Sequence, residues 1–446
     1  MRAQAGAMAH NFNGVAEIAE GRGCHEGGAN GIALFTFEKR DVIRNHARLT
    51  RRLAVSDSHP VKDKSAKPSA RFETQAIHAG HNWREQTGAV IPPVFMTSTF
   101  EYGNEGGFDY TRSGNPNFRN LQDTLAALEG CKQACVFASG VSAITAIVST
   151  LKSGDVVVLE ENVYGCTYRL FARVFEKFGV KACYFDLSNP SNYAKITELK
   201  PALVWIESPT NPMLKILDIA AISDVARGVN APVVVDNTFA SSYLQKPVEL
   251  GATLSLLSTT KYSNGHSDAL GGVVCTNSGE WHEKMIFAQK ALGLQPSPMD
   301  CWLTSRGLKT EALRMERHCA NALEFAQRLE VAKNICWLRY PFLPSHPQHE
   351  LAKKQMRGGS GIITADLGLN LERTLAFLAR LRYFPKAESL GGVESLICHP
   401  ASMTHASVPR EVREAVGITD GVVRFSIGIE HIEDLWSDVE EALAEV

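Results

Sequence analysis

Residues 203–238 read LVWIESPTNPMLKILDIAAISDVARGVNAPVVVDNT, with two short apolar runs on either side of an amphipathic segment. The runs at 203–206 and 232–235 are rich in β-branched residues and predict strands, and the spacing of apolar residues over 219–227 predicts a helix. A helix between two such strands is typical of a βαβ unit in a mostly parallel sheet. This stretch therefore predicts an α/β fold with helices on both faces of the sheet.

The same alternation begins at about residue 121 and continues into this stretch. Apolar runs predict further strands at 134–138, 155–159 and 182–185. Helical spacing predicts helices at 121–128, 141–151, 168–178 and 193–199. Ligands of such sheets bind beyond the carboxyl ends of the strands, so we expect the functional residues directly after each strand.

The pattern changes after residue 292. It predicts a long helix at 311–331, a proline-rich crossing at 340–347, a strand at 361–367, and helices at 371–381 and from 432 onward. We therefore predict a poorly ordered extension at 1–70, an N-terminal arm at 71–120, a large domain at 121–320 and a smaller α+β domain at 321–446.

The composition of the 446-residue chain is that of a soluble globular protein, with 44% hydrophobic and 21% charged residues. Its 46 basic and 48 acidic residues leave a net charge of −2, so the charge balance predicts neither a nucleic-acid partner nor a membrane-surface partner. No window contains the roughly 18–20 uninterrupted apolar residues of a spanning helix. These features exclude the collagen-like, low-complexity and membrane-spanning classes.

The ten cysteines are scattered along the chain, which predicts reduced thiols in the cytoplasm. Cys131 and Cys135 form one pair with no second pair beside it, so no metal site is predicted. Residues 1–70 contain glycine clusters and a polar stretch, which favour a poorly ordered segment. This segment does not have the pattern of a secretory signal, whereas an organelle transit peptide stays open.

Two predicted strands end at residues that could hold a charged ligand. Gly140 and Val141 begin a helix after the strand at 134–138, and the free N–H groups of a helix start can bind a phosphate, although Ser-Gly turns are common without one. Asp236 follows the apolar run at 232–235, and a buried carboxylate needs a partner. A protonated cofactor nitrogen, an arginine or a helix N-terminus would each provide that partner.

A third candidate is Lys261, which follows an apolar run and stands among hydroxyl groups and glycines. Desolvation lowers the pKa of a lysine and makes it a nucleophile suited to a Schiff base, whereas an exposed lysine would have no such role. Ser258 and Thr260 could donate hydrogen bonds to an anion. Together, the three strand ends supply a phosphate cradle, a carboxylate for a pyridinium nitrogen and a reactive amine, which pyridoxal 5'-phosphate requires.

Several strings, in order along the chain, resemble a known family. They are YTRSGNP at 110–116, VYG at 163–165, ESPTNP at 207–212, DNT at 236–238, the Lys261 segment, SLGGVESL at 389–396 and RFSIG at 424–428. From about Thr74 to the C-terminus the chain resembles the pyridoxal-phosphate enzymes of cysteine and methionine metabolism, which include cystathionine γ-synthase, γ-lyase and β-lyase. The resemblance implies a fold type I, aspartate-aminotransferase-like architecture with pyridoxal 5'-phosphate as cofactor.

The resemblance also implies how the cofactor is held. Lys261 would form the Schiff base and then move protons, Asp236 would pair with the pyridine nitrogen, and Tyr164 would stack on the ring and assist proton transfer. Asn211 would lie near the phenolic oxygen. The phosphate would be bound by Gly140, Val141, Ser258 and Thr260.

The substrate and the neighbouring subunit complete the implied site. Arg424 would bind the substrate α-carboxylate with Ser389 beside it, because its guanidinium fork matches a carboxylate. Tyr110 and Arg112 would reach the cofactor of the neighbouring subunit, where Tyr110 would also contact the substrate, so the resemblance implies a dimer that pairs into a homotetramer. Glu394 would lie near the distal end of the substrate.

Some positions depart from the commoner family pattern, and the exact reaction stays open. Leu257 stands where many members have His or Tyr, and Val141 replaces a frequent Met. Cys166 stands where Gly is common, and the string YGCT at 164–167 resembles methionine γ-lyases. Leu390, where bacterial β-lyases have Trp, and Glu394 favour γ-elimination or γ-replacement, as in cystathionine γ-lyase and γ-synthase. The alternatives are cystathionine β-lyase, then O-acetylhomoserine sulfhydrylase or methionine γ-lyase, and in another class a non-catalytic pyridoxal-phosphate-binding protein.

Overall fold

The computed structural model describes residues 70–446 except 82–87, 334, 405 and 407–409, so the predicted extension at 1–70 lies, apart from its last residue, outside the described residues. The helices described are α1 (Phe72–His78), α2 (Pro116–Glu129), α3 (Gly140–Val148), α4 (Gly165–Arg169), α5 (Ala194–Leu199), α6 (Ile219–Arg227), α7 (Ser241–Leu244), α8 (Gly279–Leu292), α9 (Pro298–Leu308), α10 (Glu311–Glu330), α11 (His349–Gln355), α12 (Leu371–Arg380), α13 (Arg410–Ala415) and α14 (Ile432–Ala444). None of these described helices is both long and apolar enough to cross a membrane.

The strands form two sheets. Their bounds are β1 (Gln133–Phe137), β2 (Val156–Glu160), β3 (Lys181–Phe185), β4 (Leu203–Glu207), β5 (Val233–Asp236), β6 (Leu254–Leu257), β7 (Gly272–Thr276), β8 (Trp337–Arg339), β9 (Ile362–Asp366), β10 (Leu396–Cys398) and β11 (Val422–Ser426). The first sheet has the order β1-β7-β6-β5-β4-β2-β3, and the second has the order β10-β11-β9-β8.

The larger sheet is mostly parallel, as the sequence predicts. The pairs β2·β3, β2·β4, β4·β5 and β5·β6 are parallel, whereas β7 runs antiparallel to both β6 and β1. The predicted strands and helices around residues 203–238 all form, and β7 is a strand that the pattern did not predict. The α/β fold is therefore confirmed, with one antiparallel insertion beside β1.

Strand β4 shows why the strands of the larger sheet have continuous apolar sequences. All five of its residues are buried, because helices cover both faces of the sheet. Leu203 and Trp205 belong to the hydrophobic cluster on one face, whereas Val204 and Ile206 belong to the cluster on the other. The alternation of side chains along a strand produces this division.

The prediction of one continuous helix at 168–178 is wrong. The chain forms α4, then a π-helical turn at Leu170–Val174, then a 3₁₀ turn at Phe175–Phe178. Gly179 ends the segment with a φ of +84°, a conformation that glycine adopts without a steric penalty. The apolar spacing does not distinguish these tighter and wider turns from a regular helix.

The second sheet is antiparallel and lies in the C-terminal part. Helices α10, α12 and α14 cover it, through residues such as Phe325, Phe377 and Val439. Only β9 was predicted from the sequence, because the other strands are short or lack a clear alternation. The predicted boundary at residues 320 and 321 falls within α10, and the division into domains stays a prediction.

The two sheets meet around Tyr262, which is 1% exposed. Its hydroxyl oxygen accepts a hydrogen bond from the backbone N–H of Gly361 at 3.0 Å, just before β9. Its side chain packs with Ile362 and Leu390 in one hydrophobic cluster. The chain that follows β6 is thereby fixed against the C-terminal sheet.

Candidate active site

One cavity opens at the carboxyl ends of the central parallel strands, where the larger sheet meets β11. Most of the predicted site residues line it, although they come from distant parts of the chain. These residues are Gly140, Val141, Tyr164, Asn211, Asp236, Ser258, Thr260, Lys261, Ser389 and Arg424. Tyr110, Arg112 and Glu394 do not line it.

One end of the cavity is a cradle at the start of α3. The side chain of Ser139 caps this helix by accepting the N–H of Ser142 at 3.0 Å, which leaves the first N–H groups available to an anion. A Cβ atom at Gly140 would lie 2.9 Å from Cβ of Ser258, so only glycine allows this close approach. Thr260 closes the cradle, and its Oγ1 accepts the N–H of Gly271 at 3.1 Å. These residues fit a phosphate group.

Asp236 is the last residue of β5 and is 6% exposed. Burial raises the pKa of its carboxyl group, and the N–H of Thr238, at 3.1 Å, offsets only part of that effect. No cationic side chain among the described residues contributes to the stabilisation of the carboxylate. A buried carboxyl group without a cation fits the protonated ring nitrogen of a cofactor.

Lys261 follows β6 and points into the same cavity. Its Nζ donates a hydrogen bond to Oγ of Ser389 at 2.7 Å. Burial, and next the positive charge of Arg424, lower the pKa of this amine to about 8. A larger neutral fraction near neutral pH is what a nucleophilic lysine needs.

Arg424 of β11 is 3% exposed, and two hydrogen bonds fix its guanidinium group. Its Nη1 donates to Oδ1 of Asn211 at 2.8 Å, and its Nη2 donates to the backbone oxygen of Ser389 at 2.9 Å. Its buried Nε has no hydrogen-bond partner. A buried donor without a partner, on a guanidinium facing the cavity, fits a carboxylate ligand.

Tyr164 precedes α4 and lines the cavity. Its backbone N–H donates to Oε2 of Glu207 at 2.8 Å. Burial, and next a hydrogen bond with Cys166, raise the pKa of the phenol, so it keeps its proton at neutral pH. Arg169 in turn donates from Nη2 to Sγ of Cys166 at 2.7 Å.

The three remaining predicted residues lie elsewhere. Tyr110 is 45% exposed, and the guanidinium of Arg112 lies 5.5 Å from the centre of its ring and donates to the backbone oxygen of Lys290. Glu394 accepts a hydrogen bond from the hydroxyl of Ser267. The place of Tyr110 and Arg112 in a neighbouring subunit's site stays a prediction.

Sequence reasoning did not assign several residues that also line the cavity, among them Glu207, Thr238 and Glu388. Glu207 ends β4 just as Asp236 ends β5, so the rule that led to Asp236 could have found it. Glu388 precedes Ser389 in a loop that no periodic pattern describes. The departure at Leu257 has a simple account, because this side chain packs in the core cluster beside α2 and is not a lining residue.

Comparison with known proteins agrees with this geometry. A family model described as Cys/Met metabolism PLP-dependent enzyme matches residues 73–444. The chain belongs to this family. Family membership makes it an enzyme with pyridoxal 5'-phosphate as cofactor, and the cradle, Asp236, Lys261 and Arg424 fit that cofactor and an amino acid.

Individual relatives have three different names. The chain is 46% identical to a cystathionine gamma-lyase of Dictyostelium discoideum, over 84% of this chain and 97% of that protein. It is also 46% identical to a cystathionine beta-lyase of Lactococcus lactis subsp. cremoris, over 83% of this chain and 98% of that protein. A cystathionine gamma synthase from Xanthomonas oryzae pv. oryzae, solved in complex with cystathionine, has a TM-score of 0.81 and 42% identity, over 84% of this chain and 98% of that chain.

Proposed function

We propose that this chain is a trans-sulfuration enzyme that acts on cystathionine or an O-acyl-homoserine by γ-elimination or γ-replacement, with pyridoxal phosphate attached at Lys261. The observation that carries the proposal is a single cavity shared by Lys261, Asp236 and Arg424. The relatives named cystathionine lyases and synthases, at 42–46% identity, support the substrate class.

In this proposal, the residues of the cavity first hold the cofactor. The start of α3 at Gly140 and the hydroxyls of Ser258 and Thr260 bind the phosphate. Asp236 keeps a proton on the ring nitrogen. Bound pyridoxal phosphate supplies an electron sink for cleavage of the bond to hydrogen at the substrate Cα.

The remaining residues orient the substrate and move protons. Arg424 binds the α-carboxylate, and its unpartnered Nε provides one of the donors. Lys261 removes the Cα proton, and the hydroxyl of Ser389, 2.7 Å from Nζ, holds the freed amine in place. For a leaving group on Cγ, the amine would first pass the Cα proton on to the bound cofactor and, neutral again, would remove a second proton from Cβ. Tyr164 keeps its phenolic proton and can donate it to the departing sulfur or oxygen.

The choice between γ and β chemistry rests on few residues. Leu390 lines the cavity, where bacterial β-lyases of this family have Trp, and this favours γ chemistry. Glu394, which we predicted near the distal end of the substrate, lies outside the lining, whereas Glu388 lines it. The β-lyase of Lactococcus lactis, at 46% identity, makes cystathionine β-lyase the second candidate.

Product analysis of the purified holoenzyme with cystathionine tests the proposal. Cysteine with 2-oxobutanoate indicates γ-lyase activity, and homocysteine with pyruvate indicates β-lyase activity. Cystathionine formed from an O-acyl-homoserine and cysteine indicates a synthase. Absence of all these products would refute the proposal, and visible absorbance that shifts with amino acids without turnover would indicate a non-catalytic binder.

We also propose a cytoplasmic homotetramer in which Tyr110 and Arg112 complete the neighbouring subunit's site. Their position outside the cavity and the exposure of Tyr110 support an intersubunit role, and the nine described free cysteines support a reducing compartment. Mixing inactive Lys261→Ala and Arg112→Ala subunits tests the arrangement. Hybrid dimers then contain one intact site, so activity absent from both parents should appear, and continued inactivity would contradict the arrangement.

A further inference from the structure

Glu207 is a second buried carboxyl group of the cavity, and the mechanism above gives it no role. It is 4% exposed and pairs in register with Asp236 across the parallel strands β4 and β5. Burial, and next the negative charge of Asp236, raise the pKa of its carboxyl group, and the backbone N–H groups of Tyr164 and Asn211 offset part of that rise. The N–H of Tyr164 donates a hydrogen bond to Oε2 of Glu207 at 2.8 Å. The group therefore binds the chain at two points of the cavity wall.

These two points belong to different parts of the site. The backbone N–H of Tyr164 is bonded to Glu207, and Tyr164 itself lines the cavity. Asn211 receives Nη1 of Arg424 on its side-chain oxygen at 2.8 Å, and Arg424 also donates to Ser389. A series of polar contacts thus leads from Glu207, through Asn211, to the guanidinium of Arg424 in the cavity.

We propose that Glu207 is a positioning residue that holds Tyr164 against the cofactor ring and, through Asn211, holds Arg424 in the orientation that binds the substrate carboxylate. The inference rests on the roles that the proposed function gives to these residues. One rigid carboxyl group interacts with both backbone N–H groups, so the two parts of the site keep their spacing. A displacement of about 1 Å at such positions can lower the rate about a hundredfold.

Three variants of Glu207 separate positioning from general support of the fold. Glu207→Ala removes the carboxyl group. Glu207→Asp keeps it but moves it away from Tyr164 and Asn211, because the side chain is one methylene shorter, and Glu207→Gln retains one acceptor oxygen. The readout is the absorbance of the bound cofactor in each holoenzyme, titrated with glycine, because glycine binding needs the carboxylate contact of Arg424. This readout requires no turnover of cystathionine, so it is independent of the product analysis that tests the proposed function.

Glu160→Ala is the matched control. Glu160 is also a fully buried carboxyl group at the end of a neighbouring strand, β2, and it accepts the backbone N–H groups of Leu187 and Asn162. It does not line the cavity. Glu160 differs in that Nζ of Lys215 lies 3.9 Å from its Oε1, but Lys215 keeps Glu161 and Asp186 as partners when Glu160 is truncated. Truncation at Glu160 and at Glu207 therefore removes a buried acceptor of backbone N–H groups from the end of a strand in both cases.

We expect Glu207→Ala and Glu207→Asp to raise the half-saturating glycine concentration by about tenfold or more. Glu207→Gln keeps one acceptor oxygen and should lose less affinity than Glu207→Ala, and Glu160→Ala should stay within about twofold of the unsubstituted enzyme, as a site outside the network does. If Glu207→Ala yields no holoenzyme, Glu207→Asp decides by the same criterion. Unchanged affinity in Glu207→Asp, or an equal loss in Glu160→Ala, would each overturn the inference.

Discussion

Lys261 donates a hydrogen bond from Nζ to Oγ of Ser389 at 2.7 Å, across 128 positions of the sequence. The backbone of Ser389 has a φ of +106°, a strained conformation for a residue with a side chain, and its carbonyl oxygen accepts Nη2 of Arg424. One loop residue thereby fixes both the amine and the guanidinium. The site depends on the C-terminal sheet for this arrangement as much as on the larger sheet.

The lowered pKa of Lys261 predicts how the apoenzyme takes up its cofactor. Only the neutral amine attacks an aldehyde, so the rate of reconstitution with pyridoxal phosphate should rise with pH through about 8 instead of 10.5. Stopped-flow absorbance after mixing measures this rate. Removal of the cationic neighbour in Arg424→Gln should move the midpoint to higher pH, and a rate independent of pH in this range would contradict the assignment.

The same shift has a consequence for stability. Between pH 8 and 10.5 the unfolded chain binds a proton at Lys261 that the folded apoenzyme has released, so the unfolding free energy should rise with pH through this window. Denaturant titrations of the apoenzyme measure it. Lys261→Met removes the ionisation and should flatten that part of the profile, whereas an unaltered slope would contradict the prediction.

Asp236→Asn should lower kcat by about a hundredfold, because a neutral amide does not stabilise a protonated ring nitrogen. Steady-state kinetics with the saturated holoenzyme measures the effect. Asp366→Asn is a suitable control, since Asp366 also ends a strand, is 8% exposed and accepts the backbone N–H two residues onward, from Gly368. A similar loss in both variants would show that the effect is one of folding.

Gly140→Ala should weaken binding of pyridoxal phosphate about tenfold or more. The added methyl group would meet Cβ of Ser258 at 2.9 Å, and overpacking of this kind costs about 1–3 kcal/mol. Fluorescence titration of the apoenzyme with the cofactor measures its Kd. Gly279→Ala, at the start of α8 with open space around it, should leave the Kd unchanged, and equal binding by both variants would contradict the cradle.

Arg424→Lys should raise the KM of the amino-acid substrate about tenfold or more, because one ammonium cannot reproduce the guanidinium fork and hydrogen bonds to charged groups contribute about 1.5–3 kcal/mol. Separate determination of kcat and KM checks this. Arg382→Lys serves as the control, since Arg382 is exposed and pairs with Asp438 and Glu441. A KM within experimental error of the unsubstituted enzyme would refute the carboxylate role.

The sequence predicts the larger sheet well because its strands and helices differ in apolar spacing. The helix Ile219–Arg227 forms with the predicted bounds, and Asp236 and Lys261 follow their strands into one cavity. The antiparallel strand β7 was missed because its apolar run, at 273–275, is only three residues long, and the strands β8 and β10 were missed because each has only three residues. Loop residues such as Glu388 become part of the site only through tertiary packing, which no local pattern contains.

Chemical trapping of the cofactor tests the central claim most directly. Borohydride reduction of the holoenzyme makes the bond between the lysine and pyridoxal phosphate permanent, and mass spectrometry of the digested protein locates it. We predict that the label is found on the peptide that contains Lys261 and disappears in Lys261→Ala, together with the visible absorbance and the turnover. A label on another lysine, or normal turnover by Lys261→Ala, would contradict the account.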